Sequence, residues 1–350
     1  MTPTIEAPTP RRADRVRRLL DLTPAFGAIA YPLILQGFHQ AVTNPAGPAP
    51  AKLFIAGLWL AAAFAPPLIG LAFAYRSAAR ASASALRLAA QRLAYVSVVA
   101  PTLFVFFGVV RGMLAPTLPE LPAWTLLWLG AAAWCWLSPP SPARSAAAGP
   151  VARLRVVHGT TAAILVLYVL FHLANHLFAL IGPSAHAAVM KMGRTVYRAR
   201  LVEPVLVVLM LFQVATGLRL AWRWSGARGG VHRVFQVASG LYLSIFILGH
   251  MNSVFVYART YLKIDTGWGF ATGAPTGLIL DPWNIRLLPH YALGVFFVLG
   301  HLASGLRQVL LAHRASPALA NRLWAAGLVA SAAVSAAIIL GMCGIRLAAG

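Results

Sequence analysis

The sequence predicts an all-α integral membrane protein, and three observations lead to that fold class. Of its 350 residues, 59% are hydrophobic and only 10% are charged, whereas a soluble domain carries about 25% charged residues. Apolar segments long enough to cross a bilayer recur along the whole chain. The basic residues cluster between these segments, as the positive-inside rule requires. We therefore expect a multi-pass protein of a bacterial inner membrane, surrounded by the lipid bilayer.

Nine apolar segments follow a basic arm at residues 1–22. Each has the length of a transmembrane helix, and the second carries Pro66-Pro67, which predicts a kink or a break there. The segments cover residues 25–42, 53–75, 93–110, 121–138, 156–181, 201–222, 234–257, 288–311 and 323–346.

The distribution of basic residues sets the topology. If the N-terminus is cytoplasmic and the chain has nine spans, 19 of the 29 lysine and arginine residues lie in cytoplasmic segments. This excess agrees with the positive-inside rule and therefore supports nine spans. Segment 182–200 argues against this count, because it would lie outside yet is basic. It either forms an amphipathic interfacial helix or shows that the count is wrong. The net charge of +22 predicts no nucleic-acid partner, because the bases are not gathered on one water-facing surface.

The stretch 139–152, rich in Pro, Ser and Ala, is the best internal boundary. It separates a four-helix region at 23–138, whose role the sequence does not indicate, from five helices within 153–350. His39 is the only histidine before the boundary. We therefore look for a functional site in the second region.

Histidines inside apolar segments are the candidates for that site. An imidazole in hydrocarbon is costly unless it has a partner. His172 and His176 lie one helical turn apart in the outer half of 156–181, and His250 lies at similar depth in 234–257. Facing helices that each supply an imidazole can hold haem b, so His172 and His250 are the candidate pair. His176 is an alternative ligand, a contact of a haem propionate, or a hydrogen-bonded interface residue.

A second, inner haem site is incomplete. His301 lies near the middle or in the inner half of 288–311, and the residue at matching depth on 201–222 is Gln213, which is not a usual haem ligand. We expect His301 to be either a haem ligand or a buried histidine hydrogen-bonded to Gln213. His158 is expected at the inner interface.

The connection at 258–287 is long for a membrane protein and contains Trp268 and Trp283. Long loops are usually functional or disordered. Two interpretations stay open: a periplasmic loop anchored by its tryptophans, or a cap over the outer histidines. His186 and His290 are expected near the outer surface, in contact with water.

Three motifs occur in the second region in a fixed order: RVVHGTTAAILVLYVLFHLANHL, FQVASGLYLSIFILGH and HYALGVFFVLGHLASGLR. With them, residues 155–345 resemble the fused cytochrome b membrane subunit of succinate dehydrogenase and fumarate reductase. The resemblance implies a five-helix cytochrome b-like bundle with His172 and His250 on an outer haem. It also implies His301 as one ligand of an inner haem, for which Gln213 departs from the family pattern.

The resulting prediction is a b-type cytochrome that carries electrons between a quinone pool and a partner. It would catalyse no bond-making reaction itself. The partner implied by the resemblance is a soluble iron–sulfur or flavoprotein subunit on the cytoplasmic face. Cys135 and Cys343 belong to no CxxCH motif, so covalent haem attachment is excluded. Two alternatives stay open: a haem-free membrane scaffold or transporter, and a haem-handling protein that binds haem transiently at His172 and His176.

Overall fold

A computed structural model describes residues 12–45, 48–79, 84–139 and 151–347. Residues 1–11 of the basic arm and residues 140–150 of the linker at 139–152 lie outside the described residues. The described part forms α-helices without a β-strand, so the predicted all-α class is confirmed. The helices are α1 (Arg12–Asp21), α2 (Thr23–Thr43), α3 (Ala49–Ala63), α4 (Ala65–Ala78), α5 (Ala85–Val98), α6 (Ala100–Leu114), α7 (Glu120–Leu137), α8 (Ala152–Leu177), α9 (Pro183–Tyr197), α10 (Val202–Trp224), α11 (Val231–Met251), α12 (Trp268–Thr272), α13 (Gly277–Leu280), α14 (Leu287–Ala312) and α15 (Pro317–Met342). Short 3-10 helices cover Phe178–Leu180 and Asn284–Arg286, and a π-helix covers Asn252–Leu262.

Several of these helices are long and apolar enough to cross a membrane, so the chain is a multi-pass membrane protein. Within the described ranges six segments qualify: Ala49–Ala78, Ala152–Leu180, Val202–Trp224, Val231–Leu262, Asn284–Ala312 and Pro317–Met342. Two bent pairs, α1 with α2 and α5 with α6, raise the number to eight if each pair is one span. Helix α7, which covers the predicted segment 121–138, is not among them. The count of nine spans therefore stays a prediction.

Prolines mark the interruptions in the N-terminal helices. Phe64 interrupts the helix between α3 and α4, two residues before Pro66, as the predicted kink or break requires, and the two helices together still form one candidate span. The predicted segment 93–110 is not one straight helix, because α5 and α6 bend by 68° around Val99. Pro101 lies in the first turn of α6. Proline lacks an N–H and clashes with the preceding turn, so a continuous helix through this position is disfavoured.

Helix α11 occupies the centre of the helix packing. Half of the residues in the most apolar 18-residue stretch of Val231–Leu262 are buried. In the corresponding stretches of the other five candidate spans, 17–28% of the residues are buried. It packs against α10 and α14 of the C-terminal region and also against α4, α5 and α6 of the N-terminal region. A histidine on α11 is therefore surrounded by helices from both regions.

One end of the bundle is covered by α9 and residues 263–286, and we call it the capped end. Segment 182–200 forms α9 there, as the first of its two interpretations requires. Arg194 of α9 forms an ion pair with Asp265 at 3.2 Å, and the His186 ring centre lies 4.5 Å from that of Trp268. These contacts tie the long connection to α9, which agrees with the interpretation of that connection as a cap.

Candidate functional site

Five histidines line one cavity of about 760 Å³ at the capped end. This volume lies within the range of about 300–1,000 Å³ that is typical of ligand and cofactor sites. The histidines come from four helices: His172 and His176 from α8, His186 from α9, His250 from α11 and His290 from α14. The predicted pair and its predicted neighbour therefore face the same space.

The distance between His172 and His250 suits two ligands of one metal ion. Their ring centres lie 6.0 Å apart and their planes make an angle of 70°. A metal between two imidazoles holds each nitrogen about 2 Å away, which places the two ring centres roughly 6 Å apart. The separation of the ring centres therefore equals the separation that two imidazoles holding one metal ion would need.

His176 presents a nitrogen to the same part of the cavity. Its Nε2 lies 3.3 Å from Nε2 of His172, and the two ring centres are 4.7 Å apart. At this distance one ring nitrogen donates a hydrogen bond and the other accepts it. His176 therefore stays an alternative to His172 as a ligand.

Aromatic rings orient both members of the pair. Tyr168 stacks on His172, with ring centres 5.8 Å apart and planes at 21°. Phe246 stacks on His250, with centres 5.9 Å apart and planes at 4°. Phe246 also lies 4.7 Å from the ring of His290. A ligand bound by His172 and His250 therefore meets imidazoles whose planes are fixed by neighbouring rings.

Five buried side-chain polar atoms around this cavity have no hydrogen-bond partner among the described residues, and further such atoms lie elsewhere in the bundle. Leaving such an atom unpaired costs about 1–3 kcal/mol. Such atoms pair with ordered water or with a bound group, so the cavity offers hydrogen-bonding partners to either. The atoms are Nδ1 of His176, His186 and His290, Oδ1 of Asn175 and Nε of Arg194.

Charged residues surround the mouth of the cavity. Glu203 and Arg259 form an ion pair of 2.6 Å between α10 and the π-helix. Arg194 pairs with Asp265, as described above, whereas Arg198 donates through Nη2 to the hydroxyl of Thr266 at 2.7 Å. The hydroxyl does not neutralise a guanidinium, so Arg198 offers positive charge to an anionic group at the mouth.

His186 and His290 are buried, so the expectation that water surrounds them is wrong. They are 2% and 3% exposed. Helix α9 folds back onto the bundle with the ring of His186 against Trp268, and the ring of His290 packs against Phe246 of α11. Burial, with a smaller contribution from the charge of Arg194, lowers the pKa of His186 below its ordinary value of 6.5. The other buried residue of α9, Gly193, lies seven positions after His186. A spacing of seven puts both residues on one face of the helix, and this pattern in the sequence could have predicted that His186 is buried.

His158 and His301 do not line the cavity and make polar contacts elsewhere in the bundle. Nδ1 of His158 lies 2.7 Å from Oγ1 of Thr216, so His158 bonds across to α10. Nδ1 of His301 lies 2.9 Å from Oγ of Ser239. Gln213 donates to the carbonyl of His158 at 2.9 Å. His301 and Gln213 therefore bond to other partners, and the expected hydrogen bond between them is wrong.

No protein-family model, curated protein or solved structure matches this chain. Across the described ranges, no group of three or more His, Cys, Asp or Glu residues is arranged to hold a bare metal ion. A haem iron needs only its two axial ligands from the protein, because the porphyrin supplies the others. His172 and His250 are two imidazoles from different helices that line one cavity.

Proposed function

We propose that this chain is a b-type cytochrome that binds one haem b between α8 and α11, where His172 and His250 would hold the iron. The observation that carries the proposal is the 6.0 Å separation of these two rings, on different helices and in one cavity. The resemblance of residues 155–345 to the fused cytochrome b membrane subunit of succinate dehydrogenase and fumarate reductase supports the same pair.

The residues present fit haem b in three respects. His172 and His250 supply imidazole nitrogens, and Tyr168 and Phe246 fix the planes of those rings. Arg198 provides positive charge at the mouth for the propionate carboxylates. Bound haem supplies one-electron transfer. The apolar surroundings and the hydrogen bonds of the ligands then set its reduction potential.

The electron partners follow from the membrane setting and from the resemblance. We assign the exchange of electrons to a quinone dissolved in the bilayer and to a soluble iron–sulfur or flavoprotein subunit on the cytoplasmic face. The placement of the N-terminus in the cytoplasm of a bacterial cell rests on the excess of basic residues in the predicted inside loops. Those basic loops also suit an acidic partner, because complementary charge speeds association.

A reduced-minus-oxidised absorption spectrum of the purified full chain tests the proposal. We expect a b-type spectrum that is lost in His172→Ala and in His250→Ala. His313→Ala is the matched control, because His313 is exposed and bonds only to the carbonyl of Val309 in its own helix. A chain that binds no haem after expression with haem supplied would refute the function.

A second function, transient haem handling, is favoured by the close approach of His176 to His172, which offers two competing nitrogens at one point. The two functions differ in how firmly haem is held. A resident cofactor stays with the chain when excess apomyoglobin is added, whereas a handling protein transfers it. Rapid transfer in wild type that slows in His176→Ala supports handling.

A further inference from the structure

A buried ion pair joins the N-terminal helices to the wall of the cavity. Glu120 is the first residue of α7, and Arg286 directly precedes α14. Nη1 and Nη2 of Arg286 donate to Oε1 and Oε2 of Glu120 at 2.7 Å and 3.0 Å. Arg286 is 6% exposed. A bidentate pair in this setting fixes distance and angle together.

The surroundings of Arg286 are built to hold the guanidinium in one place. It lies 4.3 Å from the ring centre of Phe104 and 4.7 Å from that of Trp283. Its Nε donates to the carbonyl of Trp283 at 3.0 Å. A Cβ atom at Gly108 of α6 would lie 2.6 Å from Nη1 of Arg286 and 2.7 Å from Oε1 of Glu120. Glycine at position 108 therefore leaves the room that the ion pair occupies.

The same segment forms part of the cavity. Trp283 and Asn284 line it, as does His290. His290 follows Arg286 by four residues, which is about one turn along α14. The His290 ring contacts Phe246, and Phe246 stacks on His250. A continuous set of contacts therefore leads from the ion pair to one of the two proposed haem ligands.

We propose that Glu120 and Arg286 are positioning residues for the cavity. Through this pair the N-terminal helices fix the first turn of α14, which holds His290 and Phe246 against His250. The proposal gives the region at 23–138 a role that the resemblance does not cover. Its spectroscopic test rests on the proposed haem site, and a second test does not.

The spectroscopic test compares two glycines of α6 in the purified, haem-loaded full chain. Gly108→Ala places a methyl group in the ion pair, whereas Gly112→Ala meets nothing within 4 Å. We expect Gly108→Ala, and likewise Glu120→Gln, to keep the haem but to shift its reduction potential and the g values of its ferric EPR spectrum. Gly112→Ala keeps the wild-type values. Folded Gly108→Ala and Glu120→Gln proteins with wild-type values in both measurements would overturn the proposal, because an ion pair that only stabilises the fold leaves the haem signals unchanged.

The second test needs no haem and uses a thiol in the cavity wall. Ala271 lines the cavity, so Ala271→Cys places a thiol there, and the parent chain corrects for the two native cysteines. We expect a small methanethiosulfonate reagent to label this thiol several-fold faster when Gly108→Ala or Glu120→Gln is added, but not when Gly112→Ala is added. Equal rates in all three would overturn the proposal. Absence of haem from wild type with unequal rates would refute the cytochrome function alone.

Discussion

Substitution of Gly294 tests whether close packing around Phe246 fixes the proposed site. A Cβ atom at Gly294 of α14 would overlap the ring of Phe246, whose Cδ2 would lie only 2.9 Å away. Phe246 lies between His250 and His290. Gly294→Ala therefore pushes this ring towards the histidines, or moves α14 away from α11.

The size of the effect follows from comparison with Gly305 on the same helix. A Cβ at Gly305 meets nothing within 4 Å, so Gly305→Ala gains only the helix propensity of alanine, about 1 kcal/mol. Gly294→Ala gains the same propensity but also overpacks a buried contact, which costs about 1–3 kcal/mol. Because the propensity term cancels, we expect Gly294→Ala to be less stable than Gly305→Ala by about 1–3 kcal/mol.

Unfolding in mixed detergent micelles, followed by circular dichroism, measures this difference in the free energy of unfolding. The haem spectrum of each variant is recorded in parallel, and we expect a shift in Gly294→Ala alone. Equal stability of the two alanine variants, together with equal spectra, would refute the close packing of Phe246 against α14.

Three further outcomes follow from individual contacts. Gln213→Leu removes hydrogen bonds between α10 and α8 and should lower the free energy of unfolding by about 1 kcal/mol. Because Gln213 does not line the cavity, an altered haem reduction potential would contradict its position. Because the folded-state pKa of His186 is lowered, the unfolded chain binds more protons below about pH 6.5, so this residue costs stability as the pH falls through that value. Thermal unfolding at pH 7.5 and 5.5 should therefore show a smaller loss of Tm in His186→Asn than in wild type, and equal losses would contradict the burial of this imidazole. Arg198→Gln should raise the dissociation constant of haem roughly tenfold through loss of one charge-assisted contact worth about 1.5 kcal/mol, while Arg200→Gln, at an exposed position, should leave it unchanged; haem titration of the apoprotein distinguishes the two.

Some features of this molecule follow from local sequence pattern. Helix length and apolar composition predicted the α-helical class, because a bilayer sets the length of a spanning helix. The positions of His172 and His250 along their helices predicted a similar depth in the membrane, because the rise of a helix fixes the depth of each residue once the direction of the span is known. The structure brings these two rings into one cavity.

Other features depend on contacts that no local pattern contains. His290 joins the cavity through its contact with Phe246 of α11, and His186 joins it because α9 folds back onto the bundle. His301 bonds to Ser239 on α11, whereas Gln213 on α10, its expected partner, bonds to the carbonyl of His158. Which side chains meet depends on the rotation of each helix about its axis as well as on depth. The pairing of Glu120 with Arg286 across 166 positions depends on how the two regions dock.

Haem content per chain tests the central claim most directly. The purified full chain is quantified by amino-acid analysis, and its non-covalent haem by the pyridine haemochrome method. We predict one haem b per chain in wild type and none in His172→Ala or His250→Ala. A content of zero in wild type, or haem that stays bound in both variants, would contradict the assignment of His172 and His250 as its ligands.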